Sequence, residues 1–305
     1  MIRRIALHST LAALVIVGLA LPGTDADAQE GLKVYISADM EGVVGVVSGD
    51  QLGPTGFEYA RFRQIMTNEV NAAIEAAREM GATEILVSDS HGNGENLLIE
   101  QLPADIQLIR SWPRPLMMME GIDASFDAAI FIGYHSSTSN TQGVRAHTIS
   151  SANLTSVRIN GVEMMEASIN AAIAGDFGVP VVMISGDDAT IDEAHRIIGD
   201  MEGAVVKWSL GFHSARTIMP EASYALIGDR VRTALRRLDD FQPYRMSGPV
   251  TLEISFKNYM PAEVMAYLPN VDRVDAHTIR FIGKDMTEVS KFIEFTTNYA
   301  VNITP

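Results

Sequence analysis

Short apolar runs recur along this chain, and each breaks off in a turn that carries glycine, aspartate or histidine. Ala128-Ala129-Ile130-Phe131-Ile132 is the clearest case, and residues 179–185 repeat the pattern. A run this short and this apolar reads as a strand buried on both faces, the signature of a parallel sheet covered by helices. Residues 32–36, 84–88 and 106–109 supply further strands. Between them, residues 58–80 place Phe62, Met66, Val70, Ala73, Ala77 and Met80 at helical spacing, with Gly81 to end the helix. Residues 154–159 followed by Asn160-Gly161 read as a strand and a tight turn. Helices are expected at 162–174, 191–201 and 222–238. The alternation predicts an α/β fold: three α/β/α layers around a mostly parallel or mixed sheet. After the proline-containing stretch 242–249, strand, helix, strand and helix patterns (251–256, 262–267, 278–282, 286–299) predict a smaller α+β C-terminal portion.

The first residues read differently. Arg3 and Arg4 precede an apolar stretch at 11–21, and Ala26-Asp27-Ala28 fits a small-x-small cleavage site ahead of Gln29. That order is a secretory signal peptide, with an apolar core too short for a membrane span; an uncleaved N-terminal anchor is the alternative. The expected organisation is therefore a signal peptide at 1–28, a metal-binding catalytic domain at 29–245 and the C-terminal portion at 246–305. The expected location is periplasmic or secreted, with no membrane association after cleavage. A net charge of −15 disfavours nucleic acids and anionic membranes as partners. The chain has no cysteine, so a metal site would have to use His, Asp and Glu, which suit zinc, manganese or similar ions.

Histidines and acids fall at one recurring position, the end of a strand. Asp39 and Glu41 lie in Ser37-Ala38-Asp39-Met40-Glu41-Gly42, directly after the first strand. Two carboxylates held that close repel unless a proton or a cation lies between them. His91 follows the strand 84–88, His135 follows 128–132, and Asp187-Asp188 follows 179–185. Function gathers at the carboxyl ends of strands in open α/β sheets. Each residue alone has an ordinary explanation: a solvated loop for Asp39 and Glu41, a turn for each histidine, a helix N-cap for Asp89, Asp187 and Asp188. Their conjunction favours a metal site. Glu166, set between Met165 and Ala167, reads by composition as an exposed helix residue, and His147 as a loop or strand histidine.

At these residues the chain resembles the M55 metallopeptidases, a zinc-dependent D-aminopeptidase family. The resemblance is carried by Tyr35-Ile36-Ser37-Ala38-Asp39-Met40-Glu41-Gly42, Val87-Ser88-Asp89-Ser90-His91, Phe131-Ile132-Gly133-Tyr134-His135, Ala146-His147, Ile159-Asn160-Gly161 running to Glu166, and Ser185-Gly186-Asp187-Asp188. It implies two zinc ions per subunit. Asp39 would be shared between them, Glu41 and His91 would complete one protein shell, and His135 and Glu166 the other. His147 matches the histidine proposed as the family's nucleophile. The resemblance also implies a homo-oligomer. The stretch 136–143 is longer than the family pattern, and the signal peptide departs from a cytoplasmic founding member.

The expected function is that of an exported dinuclear-zinc aminopeptidase, cleaving the N-terminal amide bond of short peptides, with D-amino acids at the N-terminus among the substrates. His147 would be nucleophile or base; a base and proton shuttle is the simpler role beside metal-activated water. Asp89 would either orient His91 or hold a turn. Two alternatives stand: another metal-dependent hydrolase acting on an ester or a cell-wall peptide amide, and a non-catalytic periplasmic peptide-binding protein.

Overall fold

A computed structural model describes residues 31–299; the signal-peptide reading of 1–28 lies outside the described residues. The chain enters on β1 (Leu32–Ala38) and crosses through α1 (Tyr59–Glu79) to β2 (Ala82–Asp89) and then β3 (Gln107–Ile109). It returns on the other side of β1 as β4 (Ala128–Tyr134), then detours through a hairpin of β5 (Leu154–Ile159) and β6 (Val162–Glu163). From there it runs through α2 (Glu166–Asp176), β7 (Val181–Asp187), α3 (Asp188–Ile197), β8 (Glu202–Gly211), β9 (Ser214–Thr217) and α4 (Pro220–Arg236).

Seven strands form one sheet in the order β3-β2-β1-β4-β7-β8-β9. All neighbours are parallel except β8 and β9. Every residue of β4 and β7 is buried, as their apolar runs require of central strands covered on both faces. Chain order runs one way from β1 to β3 and the other way from β4 to β8. Right-handed crossovers therefore put α1 on one face and α2 and α3 on the opposite one. α4 packs against α1, and α2 packs beside α3, which completes the two helical layers. α1 buries Phe62, Met66, Val70, Ala73 and Ala77, and Gly81 in the left-handed region turns the chain into β2.

The tail forms β10 (Val250–Phe256), α5 (Tyr259–Met265), β11 (Val271–Arg273), β12 (Thr278–Gly283) and α6 (Met286–Asn298). Its strands join the β5–β6 hairpin in a second sheet, ordered β11-β12-β10-β5-β6 and wholly antiparallel. Burial alternates along β10, so one face packs and the other is more open. α6 reaches back to pack on α2.

Several elements depart from expectation, among them β11, a short strand between the helix and strand predicted at 262–267 and 278–282. The helix anticipated at 162–174 starts only at Glu166, because Asn160 and Gly161, both at positive φ, close a hairpin whose second strand is β6. The β8–β9 hairpin has no counterpart among the predicted elements; Lys207 interrupts the apolar run of β8 at a position that proves fully buried.

Candidate metal centre

β1 and β4 are the adjacent strands at which the chain order reverses, and a crevice opens there at the carboxyl end of the sheet. Asp39 is the first residue beyond β1, His135 the first beyond β4, and His91 lies two beyond β2. The backbone ladder continues past the strand ends: Asp39 N–H donates to Ile132 O (2.8 Å) and Gly42 N–H to Gly133 O (2.7 Å). This contact demands glycine on both sides. A Cβ on Gly42 would stand 1.9 Å from Tyr134 O, and one on Gly133, at φ +72°, would stand 2.2 Å from Asp39 O. Glu166 arrives from the other direction, at the N-terminus of α2. The chain after β4 doubles back, with His147 N–H donating to Ser136 O, and brings His147 to the same place.

All three imidazoles are oriented by backbone carbonyls. His91 Nε2 lies 2.7 Å from Leu52 O, His135 Nδ1 3.0 Å from Ser136 O, and His147 Nδ1 2.8 Å from Arg145 O. A carbonyl only accepts, so each of these nitrogens carries the proton and the other ring nitrogen faces the carboxylates. His91 Nδ1 is 3.2 Å from Asp39 Oδ1 and 2.9 Å from Glu41 Oε2. His135 Nε2 is 3.3 Å from Asp39 Oδ2 and 3.4 Å from Glu166 Oε1. His147 stands slightly further back, 3.9 Å from Glu41 Oε1 and 3.8 Å from Glu166 Oε1. Asp39, Glu41, His91, His147 and Glu166 border a cavity of about 260 Å³, walled also by Trp112, Met118, Ile149, Glu294 and Thr297.

The charges are tightly coupled. Burial disfavours protonation of His91 and His135, but the carboxylates of Glu41, Glu166 and Asp39 outweigh it and hold both imidazoles well above the ordinary histidine value. Glu41 and Glu166 are in turn held low by the histidines against the opposing effect of burial. Asp39 is raised, by burial first and then by the neighbouring Glu41 charge.

The donor set fits a metal ion. Asp39 Oδ2, Glu41 Oε2 and His135 Nε2 are buried and lie close to their neighbours, yet none makes a hydrogen bond of good geometry among the described residues. Buried polar atoms left in this way call for a missing partner. Ligand atoms around a tetrahedral zinc stand roughly 3.3 Å apart, close to the spacings of 2.9–3.4 Å found here. Asp39, Glu41 and His135 form one group with ligand atoms in mutual reach, and His135, His147 and Glu166 another.

The family model described as D-aminopeptidase, peptidase family M55, matches residues 32–295. The chain belongs to the M55 peptidase family. As an M55 protein it is a metallopeptidase, and its relatives agree. A D-aminopeptidase of Bacillus subtilis (strain 168) is 34% identical over 274 residues, spanning 88% of this chain and 98% of the relative. The solved structure of the Zn-dependent D-aminopeptidase DppA from Bacillus subtilis, a self-compartmentalizing protease, superposes with a TM-score of 0.85 at 32% identity. That match covers 90% of this chain and 99% of the other. The M55 resemblance and the α/β fold read from the sequence are thus both found.

The structure brings Asp39, Glu41, His91, His135, Glu166 and His147 together. It corrects the reading of Glu166 as exposed: the side chain is buried, because α2 is buried along nearly its whole length and has no solvent face. The signal was a helix apolar all round, in which a lone carboxylate needs a partner. Asp89 does not orient His91. Its oxygens accept from Asn96 N, Asn96 Nδ2 and Leu97 N and so hold a turn. Asp187 caps α3 through Thr190 N–H and also accepts from Val144 N–H. Sequence reasoning passed over Lys207 altogether.

Proposed function

We propose that this protein is an exported aminopeptidase that uses two zinc ions to remove N-terminal residues, D-configured ones included, from short peptides. One observation carries the reading: the two carboxylate oxygens of Asp39 face two different histidines, Oδ1 toward His91 and Oδ2 toward His135. A single buried carboxylate aimed at two imidazoles suits a bridge. Glu41 and His91 would then complete one site and Glu166 and His135 the other. Bound zinc supplies Lewis acidity toward the scissile carbonyl and lowers the pKa of water.

The chain's own residues do the rest. His147 Nε2, left free by the Nδ1–H bond to Arg145 O, takes a proton and delivers it to the leaving amine. Its distance from the carboxylates, larger than those of His91 and His135, favours this role over ligation. Trp112, Met118 and Ile149 wall the cavity and supply apolar surface for a substrate side chain. The name of the solved relative, a self-compartmentalizing protease, supports a homo-oligomer. The basic and apolar order of residues 3–28 supports a periplasmic or secreted location.

The deciding experiment measures metal content together with hydrolysis of paired D- and L-alanyl amides and peptides. Two zinc ions per chain and turnover of the D-series are expected. Metal without turnover of either series, but with cleavage of esters or cell-wall peptides, would replace the aminopeptidase with another hydrolase. Absence of metal together with tight peptide binding would make it a binding protein.

A further inference from the structure

Beneath the site lies a group that the proposed chemistry does not use. Lys207, on β8 opposite Asp187 of β7, is fully buried. Its Nζ donates to three carbonyls of one loop: Glu41 O at 2.5 Å, Val43 O at 3.1 Å and Val46 O at 2.7 Å. An ammonium has three protons, and all three are used here on backbone oxygens. No carboxylate among the described residues forms an ion pair with it. Asp187, Glu69, Glu41 and Asp39 surround it at longer range. Three N–H groups of the loop are tied from outside, Val44 to Glu69 Oε1, Gly45 to Thr217 Oγ1 and Gly42 to Gly133 O, while those of Val43 and Val46 bond within the loop to Met40 O and Val43 O. The loop is therefore wrapped around the ammonium, much as carbonyl oxygens wrap a monovalent cation.

Burying an ammonium costs several kcal/mol unless its surroundings compensate. Packing alone would be met by an apolar residue of the same length. What the ammonium adds is a fixed point for Glu41, whose own carbonyl it grips, and a positive charge below the carboxylates at neutral pH, although burial pulls its pKa down to about 8.

We propose that Lys207 is a positioning residue, a built-in cation that sets the Glu41 carboxylate and thereby forms the half-site of Glu41 and His91. The assignment rests on the two-zinc reading above. It predicts an asymmetry: loss of the Lys207 charge weakens one zinc ion and spares the one held by His135 and Glu166.

The test is a zinc titration of the metal-free protein, read by calorimetry and native mass spectrometry. Lys207→Met should weaken one of the two ions about 10–100-fold, the range for groups that orient a ligand, and leave the other unchanged. The absence of cysteine allows a second comparison. Lys207→Cys, alkylated in the unfolded chain and refolded, regains the ammonium with 2-bromoethylamine and gains only its shape with 1-bromopropane. Recovery of the weakened site by aminoethylation but not by propylation supports the assignment. Wild-type affinity at both sites in Lys207→Met or the propylated protein, or an equal loss at both, overturns it. So does a neutral variant that fails to fold while the aminoethylated one folds, because the charge would then serve folding instead. Wild-type protein that takes up no zinc would sink the proposed function, an outcome distinct from all of these.

Discussion

The imidazoles of His135 and His147 lie stacked, their centroids 4.0 Å apart and their planes within 5° of parallel. Two histidines in such contact cannot both be charged without repulsion. The stack holds the His147 ring beside the carboxylates, with Nδ1–H committed to Arg145 O and Nε2 left free for proton transfer.

His147→Ala should therefore keep both zinc ions and lower kcat by about 10²- to 10⁴-fold, the usual reach of general acid–base catalysis. Metal content and steady-state kinetics on the same preparation decide it. Full activity in the variant would remove His147 from the chemistry.

The carboxylates should differ in reach. Asp39→Ala is expected to lose both ions, because each oxygen of Asp39 faces a separate histidine, whereas Glu166→Ala should lose only the ion at His135. Native mass spectrometry counts the ions directly. Retention of one full equivalent by Asp39→Ala would rule out the bridging role.

With the proposed ligands, zinc and protons compete for the same atoms. With His91 and His135 raised above the ordinary value, both are protonated in the metal-free protein near neutral pH, and zinc must displace those protons. Affinity should rise with pH up to the raised values and then level off. Calorimetry in buffers of different ionisation enthalpy should show protons released on binding at pH 7; a buffer-independent heat would contradict this.

Glu69 gives a separate pH signature. Burial pushes its carboxyl up to about 7, while Val44 N–H and Ser223 Oγ–H both donate to Oε1. A folded value above the unfolded one means the folded state binds the proton more tightly. The associated stability is present below the unfolded value of about 4.5 and is lost as pH rises toward about 7, on the order of 3 kcal/mol. Glu69→Gln should flatten that decline in urea unfolding of the zinc-free protein, and an unchanged slope would assign it elsewhere.

Gly133→Ala should both destabilise the fold, by about 2 kcal/mol or more, and weaken zinc binding. The added Cβ meets Asp39 O at 2.2 Å, and φ is +72°. Thermal unfolding with and without zinc measures the two effects.

Much of this was legible from local pattern, and the exceptions share a cause. β1, β2, β4 and β7 are short apolar runs, and the residues just past them inherit their place at the sheet's edge. Asp39, His91 and His135 could be found on that ground alone. Glu166 could not, because its position depends on how the β5–β6 hairpin delivers α2 to the sheet. The turn at Asn160-Gly161 was visible, but the packing of α2 was not. β8 escaped because Lys207 breaks its pattern, and a buried lysine makes sense only once the loop it holds is in place. For Asp89 the sequence left two roles open, orienting His91 or holding a turn, because proximity in sequence to His91 says nothing about which way its oxygens point.

The proposed ligand carboxylates and histidines hang on strand ends and on the start of α2, but part of the cavity wall comes from α6, the last helix among the described residues, through Glu294, Thr297 and Asn298. None of these three follows a ligand-bearing strand. What the enzyme accepts can therefore drift under selection while how it cuts stays constant, and new specificities can be sought at one terminal helix without touching the metal centre.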